Sequence, residues 1–256
     1  MMLVLRSAFC SLLLLFVSNS VVSGQTLPPA KLDGFVYGKH RVDFDSILIE
    51  AFFDPVCPDS RDACLLSSKL FPTTATVFNL VVHLFTLAVS NLSLSLSVYV
   101  FWLNLHYHDN AFAASRALHI VNNQNTSATF PLLEAFFKRQ TQFYNAQTHK
   151  LSRAAVVNEI VEFASKAVGE SYHVTLESGF NDRKTDLKTR VSFKYSTSRG
   201  VYATPTFFVN GFQLPDAGSP LDFNGWKKLI DPLIGKKVTR TRRIFTISNE
   251  ILGHES

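Results

Sequence analysis

Ser46-Ile47-Leu48-Ile49-Glu50-Ala51-Phe52-Phe53-Asp54-Pro55-Val56-Cys57-Pro58-Asp59-Ser60 is the stretch that decides how this chain folds. Its first half is short, β-branched and aromatic, the pattern of a buried strand. Asp54-Pro55 signals a turn. Pro58 suits the first position of a helix, where its missing N–H costs nothing, and the helix is predicted to reach about Leu70. Cys57 therefore faces unsatisfied helix N–H groups and the positive end of the helix dipole, which stabilise a thiolate. Asp59 opposes that effect by disfavouring a second negative charge, and Arg61 partly offsets Asp59. The expectation is a reactive cysteine with a pKa of roughly 6 to 8, below the ordinary value of about 8.5.

Working outward, Asn79 to Phe85 reads as a second buried strand. From Asp109 to about Ser198 the pattern is helical, with apolar residues spaced at three and four in Ala111–Val121, Phe130–Tyr144, Ala154–Val168 and Ser171–Phe180. Ser152 is a suitable cap for the third of these. Thr206-Phe207-Phe208-Val209 is a strand, closed by the hairpin signal Asn210-Gly211, and Phe212-Gln213-Leu214 returns. A last helix is predicted over Gly225–Ile234. Strand, helix, strand, helices, hairpin and helix describe an α/β core that carries a helical insertion at about 109–198.

Composition narrows the class. The chain has 256 residues, 46% hydrophobic and 18% charged, which excludes disorder, and three cysteines cannot staple a chain of this size. Arg6, the apolar run Leu12–Val17 and the small residues around Gly24 describe a secretory signal peptide over 1–24, removing Cys10. The destination is the secretory pathway: endoplasmic reticulum, extracellular space or vacuole. In that oxidising compartment Cys57 and Cys64 can do disulfide chemistry, and Asn125 and Asn91 lie in N-glycosylation sequons, Asn125 in the more accessible polar loop. Of the net charge of +5, the basic tail at 236–256 holds +3 and the leader +1. The near-neutral domain between them, 25–235, offers no basic face for nucleic acid.

One segment fits no element. Residues 86–105 lie in a long run without a formal charge, and Ser90 to Ser97 alternates Leu and Ser. It has the length of a membrane-spanning helix, and this is the one route by which the chain would engage a membrane. It also reads as a buried strand pair, or as sequence foreign to the fold. His83, His106, His108 and Asp109 show no metal-ligand spacing, so no metal is expected.

Two segments carry a resemblance. Phe52-Phe53-Asp54-Pro55-Val56-Cys57-Pro58-Asp59-Ser60 resembles the active-site segment of DsbA-like thioredoxin-fold proteins, in which a strand leads into Cys-Pro-x-Cys. Ala203-Thr204-Pro205-Thr206-Phe207-Phe208-Val209-Asn210-Gly211 resembles the cis-proline loop and hairpin of the same superfamily. The helical block between them resembles the DsbA-type insertion, and the mature chain apart from 86–105 and the tail is similar to plant secretory-pathway thioredoxin-like proteins. The resemblance implies a thioredoxin-like α/β fold with Cys57 and Ser60 as catalytic residues and Pro58, Thr204 and Pro205 binding substrate. It departs from the family at Ser60, which stands in place of the second cysteine and cannot resolve a mixed disulfide. Cys64 does not replace it, because seven helical residues separate the two Cα atoms by roughly 10 Å and a disulfide needs less than about 7 Å. Cys64 reads as a small buried hydrophobe. Two functions follow. One is a monothiol thiol–disulfide oxidoreductase acting on a thiol- or disulfide-containing protein or glutathione, with no bound cofactor and glutathione as co-substrate. Kappa-type glutathione transferases, which act with serine on a related fold, add a transferase variant of this reading. The other is a non-catalytic module that binds extended peptide beside a vestigial Cys57.

Overall fold

Two runs of branched and aromatic residues, β2 (Ile47–Phe53) and β3 (Phe78–Leu84), pair in parallel at the centre of a five-stranded sheet. A strand covered on both faces must be apolar along its whole length, and β2 is buried at all positions but Leu48, which is half-buried. The computed structural model describes residues 33–37, 47–70, 78–84, 108–219 and 221–233. Around the central pair lie β1 (Phe35–Val36), β4 (Thr206–Val209) and β5 (Phe212–Gln213), in the order β1-β3-β2-β4-β5, with every pairing except β2–β3 antiparallel. The β4–β5 hairpin turns at Asn210 and Gly211, both in the left-handed region at φ 50° and 84°. Asn210 also clasps Leu48 of β2 through its N–H to the Leu48 carbonyl (2.8 Å) and its side-chain oxygen to the Leu48 N–H (2.9 Å).

The helices are α1 (Pro58–Leu70), α2 (Ala111–Gln124), α3 (Thr129–Arg139), α4 (Asn145–Thr148), α5 (Arg153–Val168), α6 (His173–Asn181), α7 (Arg183–Ser198) and a last one, α8, over 223–233. Alternation along β2 sorts the two faces of the sheet. Ile47, Ile49, Ala51 and Phe53 enter the main core, with Leu118 of α2, Phe136 of α3 and Trp226 of α8. Phe52 points to the opposite face and packs with Val201 and Phe208. The α/β class with a helical insertion is thus the observed architecture.

One expectation needs correction. Phe130–Tyr144 is not one helix: α3 stops at Arg139, a 3-10 turn covers Gln140–Phe143, and the backbone at Tyr144 is extended before α4. The helix α7 falls within the stretch predicted helical to about Ser198, yet its inner face carries no apolar stripe to mark its bounds. Thr185, Thr189, Ser192 and Ser196 are buried instead. Such a face is tolerated because the hydroxyls are satisfied locally: Thr189 donates to the Thr185 carbonyl (2.9 Å) and Ser196 to the Ser192 carbonyl (3.0 Å). The Ser152 cap is present, its hydroxyl accepting from the Ala155 N–H at 3.2 Å.

The signal peptide at 1–24, the segment 86–105 with Asn91, and the tail at 236–256 lie outside the described residues. Among the described residues no helix is long and apolar enough to cross a membrane.

The helical layer turns on the crossing of α2 and α6. Ala111, Ala113, Ala114 and Ala117 line the buried side of α2, and a Cβ placed on Gly179 of α6 would come within 2.7 Å of the Ile120 side chain. Gly179→Ala is therefore expected to destabilise the fold by about 1–3 kcal/mol through overpacking. Urea unfolding measures this, and a loss under about 0.5 kcal/mol, the range of a neutral surface change, would mean that the helices separate freely.

Candidate active site

The site is built at the end of β2, where the chain turns through Asp54-Pro55-Val56 and enters α1. Asp54 organises this turn. Its carboxylate accepts from the Val56 N–H (2.8 Å), its carbonyl accepts from the Cys57 N–H (3.0 Å), and its own N–H donates to the Ser60 hydroxyl (3.2 Å). Cys57 immediately precedes the first helical residue, Pro58, and its carbonyl accepts from the Arg61 N–H (3.1 Å) as the first helical bond. Cys57 is 3% exposed, and Ser60 is fully buried beside it.

A second segment closes over the sulfur. The Thr204–Pro205 peptide bond is cis, and the Cys57 thiol donates to the Thr204 carbonyl at 3.4 Å. This loop is pinned on either side, with the Thr206 hydroxyl donating to the Ala203 carbonyl (2.6 Å) and the Gly218 N–H to the Pro205 carbonyl (2.8 Å). Thr204 is buried, Pro58 half-buried and Tyr202, at the start of the loop, mostly exposed. Cys57 contacts both Ser60 and Thr204, with Pro58 and Pro205 adjoining them in the chain. Asn125 lies apart, exposed at the start of a 3-10 turn where its side chain accepts from the Ser127 N–H.

Four further residues belong to the site. His108 Nδ1 lies 2.8 Å from Asp54 Oδ2, and both side chains are buried. Gln140 donates from one amide to the carbonyls of Cys57 (3.1 Å) and Pro55 (3.4 Å), and its oxygen accepts from the Tyr144 hydroxyl (2.9 Å). Gln140 left a signal in the sequence: it continues the buried stripe Leu133, Phe136, Phe137 at helical spacing, and a polar group at such a position needs a partner. Asp54 read only as a turn former. The sequence offers His108 only as a metal-ligand candidate, and a pairing over this sequence distance leaves no local pattern. Among the described residues no three His, Cys, Asp or Glu side chains are placed to hold a metal ion, and His83 lies with a different carboxylate, Glu50, at 3.4 Å.

The expectation of a depressed Cys57 pKa is overturned. Burial pushes the thiol up from its ordinary value. Thr204 and the Ser60 N–H and hydroxyl act in the opposite direction, and the Asp54 carboxylate adds to the rise. A helix end stabilises a thiolate that water can also reach; here desolvation of the charged form is the larger effect. The bond to the Thr204 carbonyl is also one that only the neutral thiol can make. Nor is Asp59 the acid that acts: it is exposed, while Asp54 is buried, and Arg61 is engaged by Asp62 at 2.8 Å. Cys64 is pushed further, to about 12, by burial and then by Glu134. It sits along α1 rather than at its start, so no second thiol stands beside Cys57.

Both thiols are raised in the folded state, so the stability they lend is complete below the unfolded value and is lost as pH rises. Iodoacetamide labelling of Cys57 should therefore keep accelerating as pH passes 9.0, and Cys64 should label only on unfolding. The urea midpoint should fall between pH 9.0 and about 12, less steeply in Cys64→Ala. Cys57 labelling that is already at plateau below about pH 8, under the free thiol value, would show a thiolate held by the helix end.

Residues 72–232 match the family described as Thioredoxin, a span that begins beyond Cys57 and includes the Thr204–Pro205 loop. No curated protein matches the sequence. Among solved structures, a candidate protein-disulfide isomerase from Pseudomonas syringae aligns with a TM-score of 0.58 and 15% identity over 77% of this chain and 98% of that one. DsbA from Chlamydia trachomatis aligns with a TM-score of 0.56 and 14% identity over 84% and 100%. Oxidised BdbD from Bacillus subtilis gives 0.52 and 15% over 78% and 91%. Identities this low speak for the fold, which is the DsbA type of thioredoxin architecture with its helical insertion. With the family matched across more than half of its length, the chain belongs to the thioredoxin family.

Proposed function

We propose that the protein is a monothiol thiol–disulfide oxidoreductase of the secretory pathway, with Cys57 as its nucleophile. The observation that carries this reading is the Cys57 sulfur at a helix start against the carbonyl that precedes a cis proline, with Ser60 in the place of a second thiol. Thr204 and Pro205 offer backbone groups to an extended substrate, and Pro58 follows Cys57 at the start of α1. Exchange begins when the Cys57 thiol loses its proton to solvent. The thiolate attacks one sulfur of a protein or glutathione disulfide, forming the Cys57–substrate disulfide and expelling the other sulfur as a thiolate that takes up a proton. Ser60 cannot displace the bound sulfur, so an external thiol such as glutathione attacks the mixed disulfide and returns Cys57. The signal peptide supports the secretory assignment, and the exposed Asn125 supports glycosylation there.

A second reading has its own observation. A thiol that is 3% exposed and raised by burial suits a peptide-binding module in which Cys57 no longer reacts. Glutathione disulfide separates the two. Intact mass should show one glutathione adduct, mapped to Cys57 and released by dithiothreitol; a chain that stays unmodified overturns the redox reading.

Ser60→Cys tests the missing thiol. The new sulfur would sit one helical turn from Cys57, a spacing that a disulfide accepts. The variant is expected to form that disulfide and to gain insulin-reducing activity that the native chain lacks. A disulfide that forms without any gain of activity would show that the Thr204–Pro205 platform does not present substrates, which favours the binding module.

A further inference from the structure

The described residues hold a buried carboxylate and imidazole that the exchange reaction above does not use. Asp54 is fully buried, its neighbour His108 is 7% exposed, and their atoms approach to 2.8 Å. Burying such a pair forfeits the hydration of both groups, and apolar residues of similar volume would often serve the fold as well. Its placement is what sets it apart. Asp54 bonds to Val56, Cys57 and Ser60, so the carboxylate that His108 grips belongs to the residue that shapes the turn before Cys57.

We propose that His108 is a positioning residue for Cys57: it fixes the Asp54 carboxylate at the foot of the active-site turn, and through that carboxylate sets the reactivity of the sulfur. This rests on Cys57 being the reactive group, though not on turnover. A carboxylate held near a thiol opposes the thiolate, and a donor on that carboxylate draws its charge away from the sulfur. The charges facing the site are few. Arg61, Asp59 and Asp62 lie on α1, Tyr144 precedes α4, Asp54 is on the turn, and His108 stands before α2. Thr204, on the cis-proline loop, brings no charge. Arg61 is taken by Asp62, which leaves His108 as the basic group in contact with Asp54. The Nδ1 proton is donated to Asp54, because a carboxylate can only accept.

The test is Cys57 alkylation by iodoacetamide at pH 8, in the full chain with Cys64→Ala so that one thiol reports. Asp54→Asn keeps the acceptor for the Val56 N–H and removes the charge, and should speed labelling about tenfold, one pKa unit. His108→Leu leaves the charge without its donor, and should slow labelling about tenfold. His108→Asn restores an N–H donor where Nδ1 stands, and should recover most of the rate. A purely structural pair would lower the melting temperature in all three without moving the rates in opposite directions, and that result overturns the proposal. If His108→Leu does not fold, the neutral double variant D54N/H108L decides. Its rate should match that of Asp54→Asn within about twofold, since independent sites add and coupled ones do not. A further tenfold slowing would show His108 acting without Asp54, and the proposal falls. Should the wild type never form a glutathione adduct while Asp54→Asn and His108→Leu still move labelling in opposite senses, the redox reading fails and the positioning role stands.

Discussion

The site exists because β2 and β4 run antiparallel in one fixed register. Phe52 is opposite Thr206, so the C-terminal end of β2 lies beside the N-terminal end of β4. The residues just beyond these two ends are the Cys57 turn and the Thr204–Pro205 loop, which are 147 positions apart in sequence and 3.4 Å apart in space. A slip by one residue would turn Phe52 and Phe53 to the wrong faces and carry the Thr204 carbonyl away from the sulfur. The Asn210–Leu48 clasp resists such a slip from the far end of the pairing, since the side-chain oxygen of Asn210 continues the ladder where β4 stops. Core packing and site geometry thus depend on the same alignment.

Within that frame, the reactivity of Cys57 is decided by a contest between two effects at one atom. The start of α1 presents N–H groups that favour a thiolate, an effect that is strongest where solvent shares the charge. Closure of the cis-proline loop removes that solvent and gives the thiol proton an acceptor, while the Asp54 carboxylate opposes the thiolate. Desolvation wins in the closed arrangement. A substrate that displaces the Thr204 carbonyl from the sulfur would remove the acceptor that only the neutral thiol can use. The same move would free the backbone of the loop for an extended chain.

What could be read from the sequence was whatever is local. The β2 strand, the turn at Asp54-Pro55, the helix opening at Pro58 and the hairpin at Asn210-Gly211 each rest on a few adjacent residues with strong conformational preferences. The cis bond at Pro205 came from resemblance rather than from any physical signal in the chain. The polar seam of α7 escaped because threonine and serine satisfy their hydroxyls on the preceding turn and so mimic an exposed face. The burial of Cys57 escaped for another reason: it is imposed by a loop from the other end of the domain. Sequence reasoning placed the sulfur at a helix end and took that end to be wet, which reversed the sign of its shift.

The reverse face of the sheet shows how the loop itself is held. Glu50 projects from β2 away from Cys57 and meets Arg199 at 3.1 Å, the Tyr195 hydroxyl at 3.2 Å and His83 at 3.4 Å. Burial alone would raise the Glu50 carboxyl, but His83, Arg199 and Tyr195 together hold it below the usual range. Arg199 also lies 4.5 Å over the Phe208 ring, so one guanidinium ties the end of α7 to both β2 and β4. The chain from Arg199 passes through Gly200, at φ 78°, to Val201, whose N–H returns to the Ser196 carbonyl (3.1 Å) before the loop begins. The start of the cis-proline loop is therefore anchored to the strand that leads into Cys57, through charges on the opposite side of the sheet. A buried ion pair of this kind adds little to stability when weighed against apolar packing, but it fixes one arrangement among several of similar energy. Here the pair lies between β2, which leads into Cys57, and the end of α7, which leads into the Thr204 loop.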